Sequence, residues 1–439
     1  MKLKSIFIIT MVMVLMAGSI SPALAAKDPV MHINVLLNTE ITDEILAVLG
    51  EYGQVKGKIV EINALTMKIK ESQFADLLAL PFVEAANPDA ERKGSPIDTV
   101  AVEDFEDGLS TWNLDAINVT DFGFGNRTVE QDGTGVYVAV LDTGLLGTWR
   151  QYFPQERIAE EYAKSFGGGG GENGFVSEQP NKWEKDTNSH GTHVTSTIIG
   201  YSFGGTPING VAPQATVIPV KVLNQNGSGW SSVVAAGIAY IGDLKAGPLV
   251  DYPVVINMSL GGPVLDAVEK AAIDYAIEQG VIIVASAGNN GAAGMGYPGA
   301  YQPVISVASA GWYGEWYNTC WWYCLNVYDP TYPGDFYISG FSSVAYAGQD
   351  LDVTAPGHLI VGPYQLQMGQ PSYYYLSGTS MASPHVAGTV ALMLEKSTSL
   401  TATDAELILE GTAIDMPLWP DNLTGAGLID AAAALAATP

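Results

Sequence analysis

Apolar and polar positions change their spacing along the chain, and each spacing predicts a type of element. Between residues 30 and 87, short segments alternate as strands do or repeat as helices do. Strands are predicted at 31–37, 55–62, 65–69 and 82–86, and helices at 42–49 and 71–80. The order βαββαβ predicts a small ferredoxin-like α/β module.

The pattern differs further along the chain, where apolar runs are continuous. Residues 136–141, 254–258 and 281–285 are rich in Val and Ile and predict strands buried on both faces. Strands of this kind, alternating with helices, predict an α/β fold, a three-layer sandwich around a mostly parallel, doubly wound sheet. We expect residues 101–439 to form this single large domain.

A serine precedes one of the predicted helices. Residues 381–394 are small or apolar at nearly every position, which predicts a helix buried all round, with Pro384 in its first turn. Ser380 lies where the unpaired N–H groups of the helix start can stabilise an oxyanion, which favours a nucleophile. The alternative is a serine that only caps the helix.

A carboxylate and two histidines lie upstream. Asp142 follows the strand at 136–141, at the edge of the sheet where α/β proteins place their sites. His190 and His193 begin another predicted helix. A zinc-binding helix would separate two histidines by four positions and carry a glutamate between them, so metal binding by this pair is disfavoured.

The segments around Asp142, His190 and Ser380, in this chain order, resemble those of the subtilisin-like serine peptidases, or subtilases. The resemblance implies that Ser380 attacks the scissile carbonyl, that His190 carries its proton and that Asp142 orients His190. It gives His193 a structural role. Asn289, after the strand at 281–285, resembles the family's oxyanion asparagine. We therefore expect a serine endopeptidase that acts on polypeptides.

The resemblance also implies substrate-binding residues on two edges of a peptide groove. One edge is Ser259, Leu260 and Gly261, and the opposite edge is Gly227, Ser228 and Gly229. The walls of the pocket for the residue before the scissile bond (P1) would be Ala285, Ser286, Ala287, Gly288 and Gly296. These residues are small and uncharged, so we expect a preference for large apolar or aromatic P1 residues.

The N-terminal part of the chain predicts export and maturation. Residues 1–25 combine two lysines, an apolar run and Ala23-Leu24-Ala25, as a secretory signal does. Residues 26–100, with a boundary between 87 and 108, resemble a subtilase propeptide that assists folding and inhibits the enzyme until self-cleavage. The alternatives are an uncleaved membrane anchor and a permanent accessory domain. We expect a secreted protein without a membrane association after signal removal.

The chain is strongly acidic, with a net charge of −27 and a pI near 4.3. Such a surface repels nucleic acids and anionic membranes, so neither is expected as a partner. Catalysis by the three predicted residues needs no cofactor. Structural calcium is common in the family, but the loop at 201–209 holds one asparagine and no acid, so no calcium site is located.

An aromatic insertion at 310–340 departs from the family pattern and contains both cysteines, Cys320 and Cys324. In an exported protein the pair predicts a disulfide. The aromatic residues could line a distal substrate pocket, bind carbohydrate, or bury a surface patch or dimer interface. Five consecutive glycines, 167–171, predict a flexible surface loop.

Three other functions stay open. Residues 141–144 also match the Asp-Thr-Gly motif of aspartic peptidases, although the chain contains this motif once and such enzymes need two aspartates. The chain could be a binding protein that has lost turnover. An acyltransferase or esterase could use the same three residues, but the propeptide-like module and the peptide-groove segments favour a peptidase.

Overall fold

The structure is a computed structural model. It describes residues 28–93, 98–101, 110–121, 127–172, 176–316, 332–365 and 372–439. The predicted signal at 1–25 and the predicted disulfide between Cys320 and Cys324 lie outside the described residues.

The N-terminal module has the predicted βαββαβ order. It consists of β1 (Val30–Leu37), α1 (Asp43–Tyr52), β2 (Gly53–Ile59), β3 (Ala64–Lys70), α2 (Phe74–Leu78) and β4 (Val83–Pro88). The strands form an antiparallel sheet in the order β2-β3-β1-β4. Alternate residues of β1, such as Ile33 and Val35, pack with Leu49 of α1 and Leu77 of α2 in a core of their own.

The rest of the described chain forms further strands and helices around a second, larger sheet. The strands are β5 (Glu91–Lys93), β6 (Asp98–Ala101), β7 (Tyr137–Asp142), β8 (Lys164–Phe166), β9 (Glu178–Gln179), β10 (Tyr201–Phe203), β11 (Thr206–Ile208), β12 (Thr216–Lys221), β13 (Ser228–Trp230), β14 (Val254–Met258), β15 (Val281–Ser286), β16 (Ile305–Trp312), β17 (Phe336–Ile338), β18 (Val353–Pro356), β19 (Ile360–Pro363) and β20 (Tyr373–Ser377). The helices are α3 (Trp112–Asp115), α4 (Gly167–Gly170), α5 (His190–Ile199), α6 (Ser231–Ala246), α7 (Ala267–Glu278), α8 (Thr379–Lys396), α9 (Ala402–Thr412), α10 (Asp421–Thr424) and α11 (Ala431–Ala437).

The larger sheet has the order β17-β16-β15-β14-β7-β12-β8-β9, with β18 also paired to β16. Its central neighbours are parallel, and β17 and β9 join antiparallel. Parallel strands need crossover connections, and helices supply them here. The predicted mostly parallel α/β architecture is therefore confirmed.

Helices cover both faces of this sheet. Along β7, Val138 and Val140 belong to one apolar cluster, which includes α5 and α8, whereas Ala139 and Leu141 belong to another, which includes α6 and α7. This alternation follows from the two-residue period of a strand buried on both faces. The carboxyl ends of β7, β12, β14 and β15 consequently meet at one edge, between the two layers of helices.

The glycine run was predicted to be a flexible surface loop, and this prediction was wrong. Gly167, Gly169 and Gly170 are buried in the short turn α4, and Gly167 to Gly170 all have positive φ. A Cβ at Gly170 would collide with the backbone of Leu223 and Asn224. The run therefore serves close backbone packing after β12, for which side chains leave no room.

The described ends of the aromatic insertion belong to the core. β16 extends to Trp312, whose ring stacks on Trp112 with centroids 6.1 Å apart, and it pairs with β17 at Phe336. Glu315 is buried and bonds both Tyr337 and His358. Trp312 and Phe336 thus extend the sheet and its packing, whereas Tyr313 and Tyr332 are exposed. None of the described helices has the length and hydropathy needed to span a bilayer.

Candidate active site

A buried carboxylate and imidazole form the centre of the site. Asp142 ends β7, and His190 is the first residue of α5. His190 Nδ1 lies 2.9 Å from Oδ1 and 2.9 Å from Oδ2 of Asp142, and neither side chain is exposed. The other ring nitrogen, Nε2, has no hydrogen-bond partner among the described residues. Asp142 thus orients the ring through Nδ1 and leaves Nε2 free to take a proton.

Asp186 organises the tight turn that precedes His190. It accepts hydrogen bonds from the backbone N–H groups of Asn188 (2.8 Å) and Ser189 (2.9 Å). The Thr143 hydroxyl donates to it as well, at 2.8 Å. Ser189 has a φ of 78°, a left-handed conformation that is strained for a residue with a side chain. The hydrogen bonds to Asp186 hold this strained backbone directly before His190.

Sequence reasoning missed Asp186 and its neighbour Lys221. Burial raises the pKa of Asp186 to about 6, although Lys221 acts in the opposite direction. Burial also lowers the pKa of Lys221, whose Nζ donates to the carbonyl oxygens of Thr143 (2.5 Å) and Leu223 (2.8 Å). The available signal was Lys221, a single charged residue at the end of the apolar strand β12. A charge in such a strand is rarely buried unless it is paired, so Lys221 indicates a buried partner nearby.

Ser380 is the second residue of α8, which is buried from its start to Leu394, as predicted. The helix starts earlier than predicted, so Pro384 lies in its second turn and not in its first. Because proline has no N–H, the Ser380 carbonyl lacks its helical donor. The Ser259 hydroxyl donates to this carbonyl instead, at 2.8 Å, and the Ser380 hydroxyl donates to the Ser259 carbonyl at 3.3 Å. Ser259 thereby holds the backbone of Ser380.

Asn289 lies beside the start of α8. Its Oδ1 accepts hydrogen bonds from the Thr379 backbone N–H (2.9 Å) and the Thr379 hydroxyl (3.0 Å). Its Nδ2 lies 3.4 Å from the position that a Cβ would take on Gly378. With Oδ1 engaged, Nδ2 is the donor that Asn289 presents near Ser380. The backbone nitrogen of Ser380 lies 3.6 Å from the same position, and its N–H group, in the first turn of α8, has no acceptor within the helix.

Two further histidines, His193 and His385, are buried core residues. His193 Nε2 lies 3.0 Å from the Ile360 carbonyl oxygen, and burial lowers its pKa to about 3. Burial lowers the pKa of His385 to about 4, and its ring bonds the Met381 carbonyl and Asn113. Both rings are therefore neutral at ordinary pH, which agrees with a structural role for His193.

A cavity of about 580 Å³ opens beside Ser380 and contains much of the predicted substrate site. Its lining includes the predicted residues Leu260, Gly261, Ser286, Gly288, Asn289, Gly296 and Ser380. The prediction was wrong for Ala285 and Ala287, which are fully buried in apolar clusters and do not line the cavity. In an extended strand successive side chains face opposite sides, so Ser286 reaches the cavity and its two neighbours do not.

The predicted peptide groove contains a segment of the chain itself. β5 pairs antiparallel with β13, so that Lys93 is opposite Ser228 and Arg92 is opposite Gly229, directly after Gly227. On the other side, a Cβ on Gly262 would collide with the Glu91 carbonyl and with Arg92. Residues 91–93 therefore lie between the two predicted edges.

One group of carboxylates could hold a metal ion. Oxygen atoms of Asp350, Asp352 and Glu406 lie within 4.8 Å of one another. Asp352 is 1% exposed, and its Oδ1 has no hydrogen-bond partner among the described residues. Burial raises the pKa of both Asp352 and Glu406 to about 7. Hard cations such as Ca²⁺ prefer oxygen ligands of this kind.

A histidine oriented by a buried carboxylate, near a serine at a helix start, is an arrangement typical of serine peptidases. The model of the subtilase family (Peptidase S8) matches residues 133–430. The chain belongs to this family and is by family a subtilisin-like serine endopeptidase. Membership excludes the aspartic-peptidase interpretation of residues 141–144.

Individual relatives agree with this assignment. The chain is 34% identical to subtilisin DY from Bacillus licheniformis over 306 residues, which cover 69% of this chain and 91% of that protein. It is 32% identical to fervidolysin from Fervidobacterium pennivorans, covering 90% of this chain and 57% of that protein. The crystal structure of fervidolysin, described as a keratinolytic enzyme related to subtilisin, has a TM-score of 0.68 at 27% identity, covering 94% of this chain and 62% of that one. The chain thus spans less than two thirds of fervidolysin.

Proposed function

We propose that this protein is a secreted endopeptidase that hydrolyses peptide bonds through Asp142, His190 and Ser380, with Asn289 as an oxyanion donor. The observation that carries the proposal is the His190 ring, held by both oxygens of a buried carboxylate while its Nε2 is free. An imidazole in this state can act as a general base that accepts a proton from a hydroxyl group.

Each step of the proposed reaction uses an atom of the described site. The Ser380 hydroxyl leaves the Ser259 carbonyl, gives its proton to His190 Nε2 and attacks the substrate carbonyl carbon. Asn289 Nδ2 and the Ser380 backbone N–H donate to the resulting oxyanion. His190 then protonates the leaving amine. In the second half of the reaction His190 takes a proton from water, the water attacks the acyl-enzyme, and His190 returns the proton to the Ser380 oxygen. Asp142 stabilises the imidazolium in both halves.

The proposal includes a zymogen, because the N-terminal module covers the site. β5 lies in the groove, and Asn34 and Asn87 of the module donate to Asp266, the buried N-cap of α7 (2.7 and 2.5 Å). A strand that fills the substrate groove inhibits the enzyme by competition. The module, residues 26–100 before cleavage, therefore acts as inhibitor and folding aid.

The bond that is cut during maturation lies, by the sequence expectation, between residues 87 and 108. Contacts of the chain on both sides of Ser380 support a narrower range. Lys93 pairs with Ser228, and Asp98 pairs with Ser377, three residues before Ser380. The chain is thus held on two sides of the nucleophile, which supports cleavage of one of the bonds between Lys93 and Asp98. The residues between them lie outside the described part of the chain. N-terminal sequencing of the protein recovered from the culture medium would identify this bond and test secretion together.

The decisive experiment compares the wild-type precursor with Ser380→Ala. The wild type should lose its N-terminal module and hydrolyse casein, whereas the variant should persist as an inactive, full-length protein. Equal processing of both would refute self-maturation by Ser380. Equal hydrolysis of casein by both proteins would refute the proposal that Ser380 is the nucleophile of a peptidase. It would also leave no ground for preferring a peptidase to a binding protein.

The cavity supports a preference for large apolar or aromatic P1 residues. Its lining beside Ser380 includes Gly261, Ser286 and Gly296, which add neither charge nor bulk. Chromogenic peptides that differ only at P1 test this, and best cleavage after lysine or arginine would contradict it.

We propose a structural calcium site at Asp350, Asp352 and Glu406. The buried Oδ1 of Asp352, which has no hydrogen-bond partner among the described residues, supports it. Melting with calcium and with a chelator tests it. Calcium competes with protons for carboxylates, so its stabilising effect should grow as the pH rises through about 7 and should vanish in Asp352→Asn.

A further inference from the structure

A buried ion pair joins β5, which follows the N-terminal module, to the catalytic domain, by which we mean the chain from residue 101 onwards. Arg92 of β5 and Glu269 of α7 are both fully buried. Arg92 Nε lies 3.1 and 3.0 Å from the two carboxylate oxygens, and Nη2 also bonds Oε2. Nη2 also donates to the Val264 carbonyl oxygen (2.9 Å), and Nη1 donates to the Glu91 carbonyl oxygen (3.2 Å). Each of the three guanidinium nitrogens thus has an acceptor, and the Val264 carbonyl and the Glu269 carboxylate both belong to the catalytic domain.

Arg92 occupies this place as a substrate residue would. Its backbone pairs with Gly229 of β13, and its strand lies beside Gly262 on the other edge of the groove. Ala90 and Glu91 line the same cavity as Ser380. The side chain of Arg92 therefore marks where one side chain of any peptide bound in this groove would go.

The two partners separate when the module leaves, a step that rests on the proposed function. Glu269 then has no cation opposite it, and Asp266 adds a second carboxylate at the same helix start. A ligand that brings a guanidinium back to this place regains the charge-assisted hydrogen bonds that Arg92 makes, so it binds with an advantage.

We propose that Glu269 is a specificity-determining residue that selects substrates with an arginine on the acyl side of the scissile bond, at the position that Arg92 occupies in β5. Arginine fits better than lysine, because its planar fork bonds both carboxylate oxygens and the Val264 carbonyl together. Since the bond lies between Lys93 and Asp98, this position is two to six residues before it (P2 to P6).

The test uses the processed enzyme and a series of fluorogenic peptides with a neutral, apolar sequence. One arginine is moved through P2 to P6, and each peptide has a partner with citrulline, the uncharged analogue, at the same place. We expect kcat/KM for arginine to exceed that for citrulline by about tenfold or more at one position. This comparison requires no variant, so it stands even where a change at Glu269 impairs folding.

Two variants assign the preference. Glu269→Gln should reduce the arginine-to-citrulline ratio to near one, whereas the same change at Glu278, exposed at the other end of α7, should retain it. Equal cleavage of both peptides at all five positions overturns the proposal, as does an unchanged ratio in Glu269→Gln. In those cases cleavage itself persists, so the proposed function stands. If the wild-type enzyme cleaves none of the peptides, both the proposed specificity and the proposed function are refuted.

Discussion

Two buried pairs of a carboxylate and a basic side chain lie at this site. They differ in whether both partners belong to the same part of the chain. Asp142 and His190 both belong to the catalytic domain, on β7 and α5. Glu269 belongs to α7 of the same domain, whereas Arg92 belongs to the segment that leads out of the N-terminal module. Both pairs are fully hidden from solvent.

The difference shows how burial can serve opposite purposes. A partner that never leaves keeps a side chain in one orientation, as catalysis requires of His190. Under the proposed maturation Arg92 leaves, and its departure would expose the binding preference that we propose for Glu269. The low-dielectric surroundings make both interactions strong, and the same surroundings make an unpaired member costly.

Breaking the permanent pair should have the largest effect. Asp142→Asn removes the charge that orients His190 and stabilises its protonated form, so self-processing of the precursor should slow by about 10⁴-fold. A time course on denaturing gels measures this. The variant should melt close to the inactive Ser380→Ala precursor. Processing at a normal rate would show that Asp142 does not orient the general base.

Breaking the pair between Arg92 and Glu269 should destabilise the precursor instead. In the Ser380→Ala background, Arg92→Leu leaves the Glu269 carboxylate buried and unpaired, which should lower the free energy of unfolding by about 3 to 5 kcal/mol. Adding Glu269→Leu should recover most of the loss, because an apolar pair carries no desolvation penalty. Urea unfolding of the background protein, Arg92→Leu, Glu269→Leu and the double variant gives the coupling energy. Independent, additive effects would contradict the pairing.

Asp186 supports the pair of Asp142 and His190 through the turn that precedes His190. Asp186→Asn should cost about 2 kcal/mol of stability, since an amide cannot accept from Asn188, Ser189 and Thr143 together. The pKa of Asp186 is raised to about 6 from 3.8, so the folded state binds the extra proton and wild-type stability falls as pH rises from 4 to 6. Asparagine lacks this titration.

The melting temperature of Asp186→Asn relative to wild type should therefore move in favour of the variant between pH 4 and pH 7. Both proteins carry Ser380→Ala so that self-digestion does not interfere. A difference that is constant with pH would show that Asp186 has no raised pKa.

The smallest effect is expected at Ser259. Ser259→Ala removes the donor to the Ser380 carbonyl, which should cost about 1 kcal/mol and lower kcat about fivefold. Thr389→Val is the matched control, because the Thr389 hydroxyl also bonds a carbonyl of α8, that of His385. The control should lose similar stability and keep kcat. An equal loss of kcat in both would assign the effect to helix stability alone.

Much of the fold could be predicted from spacing alone. The continuous apolar runs at 136–141 and 281–285 predict strands buried on both faces, and β7 and β15 are such strands. The same reasoning failed at the glycine run, because five glycines have no hydrophobic pattern. Their burial depends on the close approach of the chain after β12, which is distant in sequence.

The candidate site divides in a similar way. Asp142, His190 and Ser380 could be predicted because the segments around them, in this chain order, resemble the motifs of the subtilases. Asp186 could not, because its role consists of hydrogen bonds to a turn that only the folded chain forms. Ala285 and Ala287 were placed wrongly because a motif identifies a segment, whereas the strand's alternation decides which side chains face the cavity.

Local spacing and residue type are properties of the amino-acid sequence, and they indicate the class of fold, the order of its elements and the residues capable of chemistry. Two contacts depend on the folded chain: Pro384 frees the Ser380 carbonyl for Ser259, and Arg92 meets Glu269 across 177 positions of the chain. Such contacts join residues far apart in sequence, and their energy depends on burial, which exists only after the chain has folded.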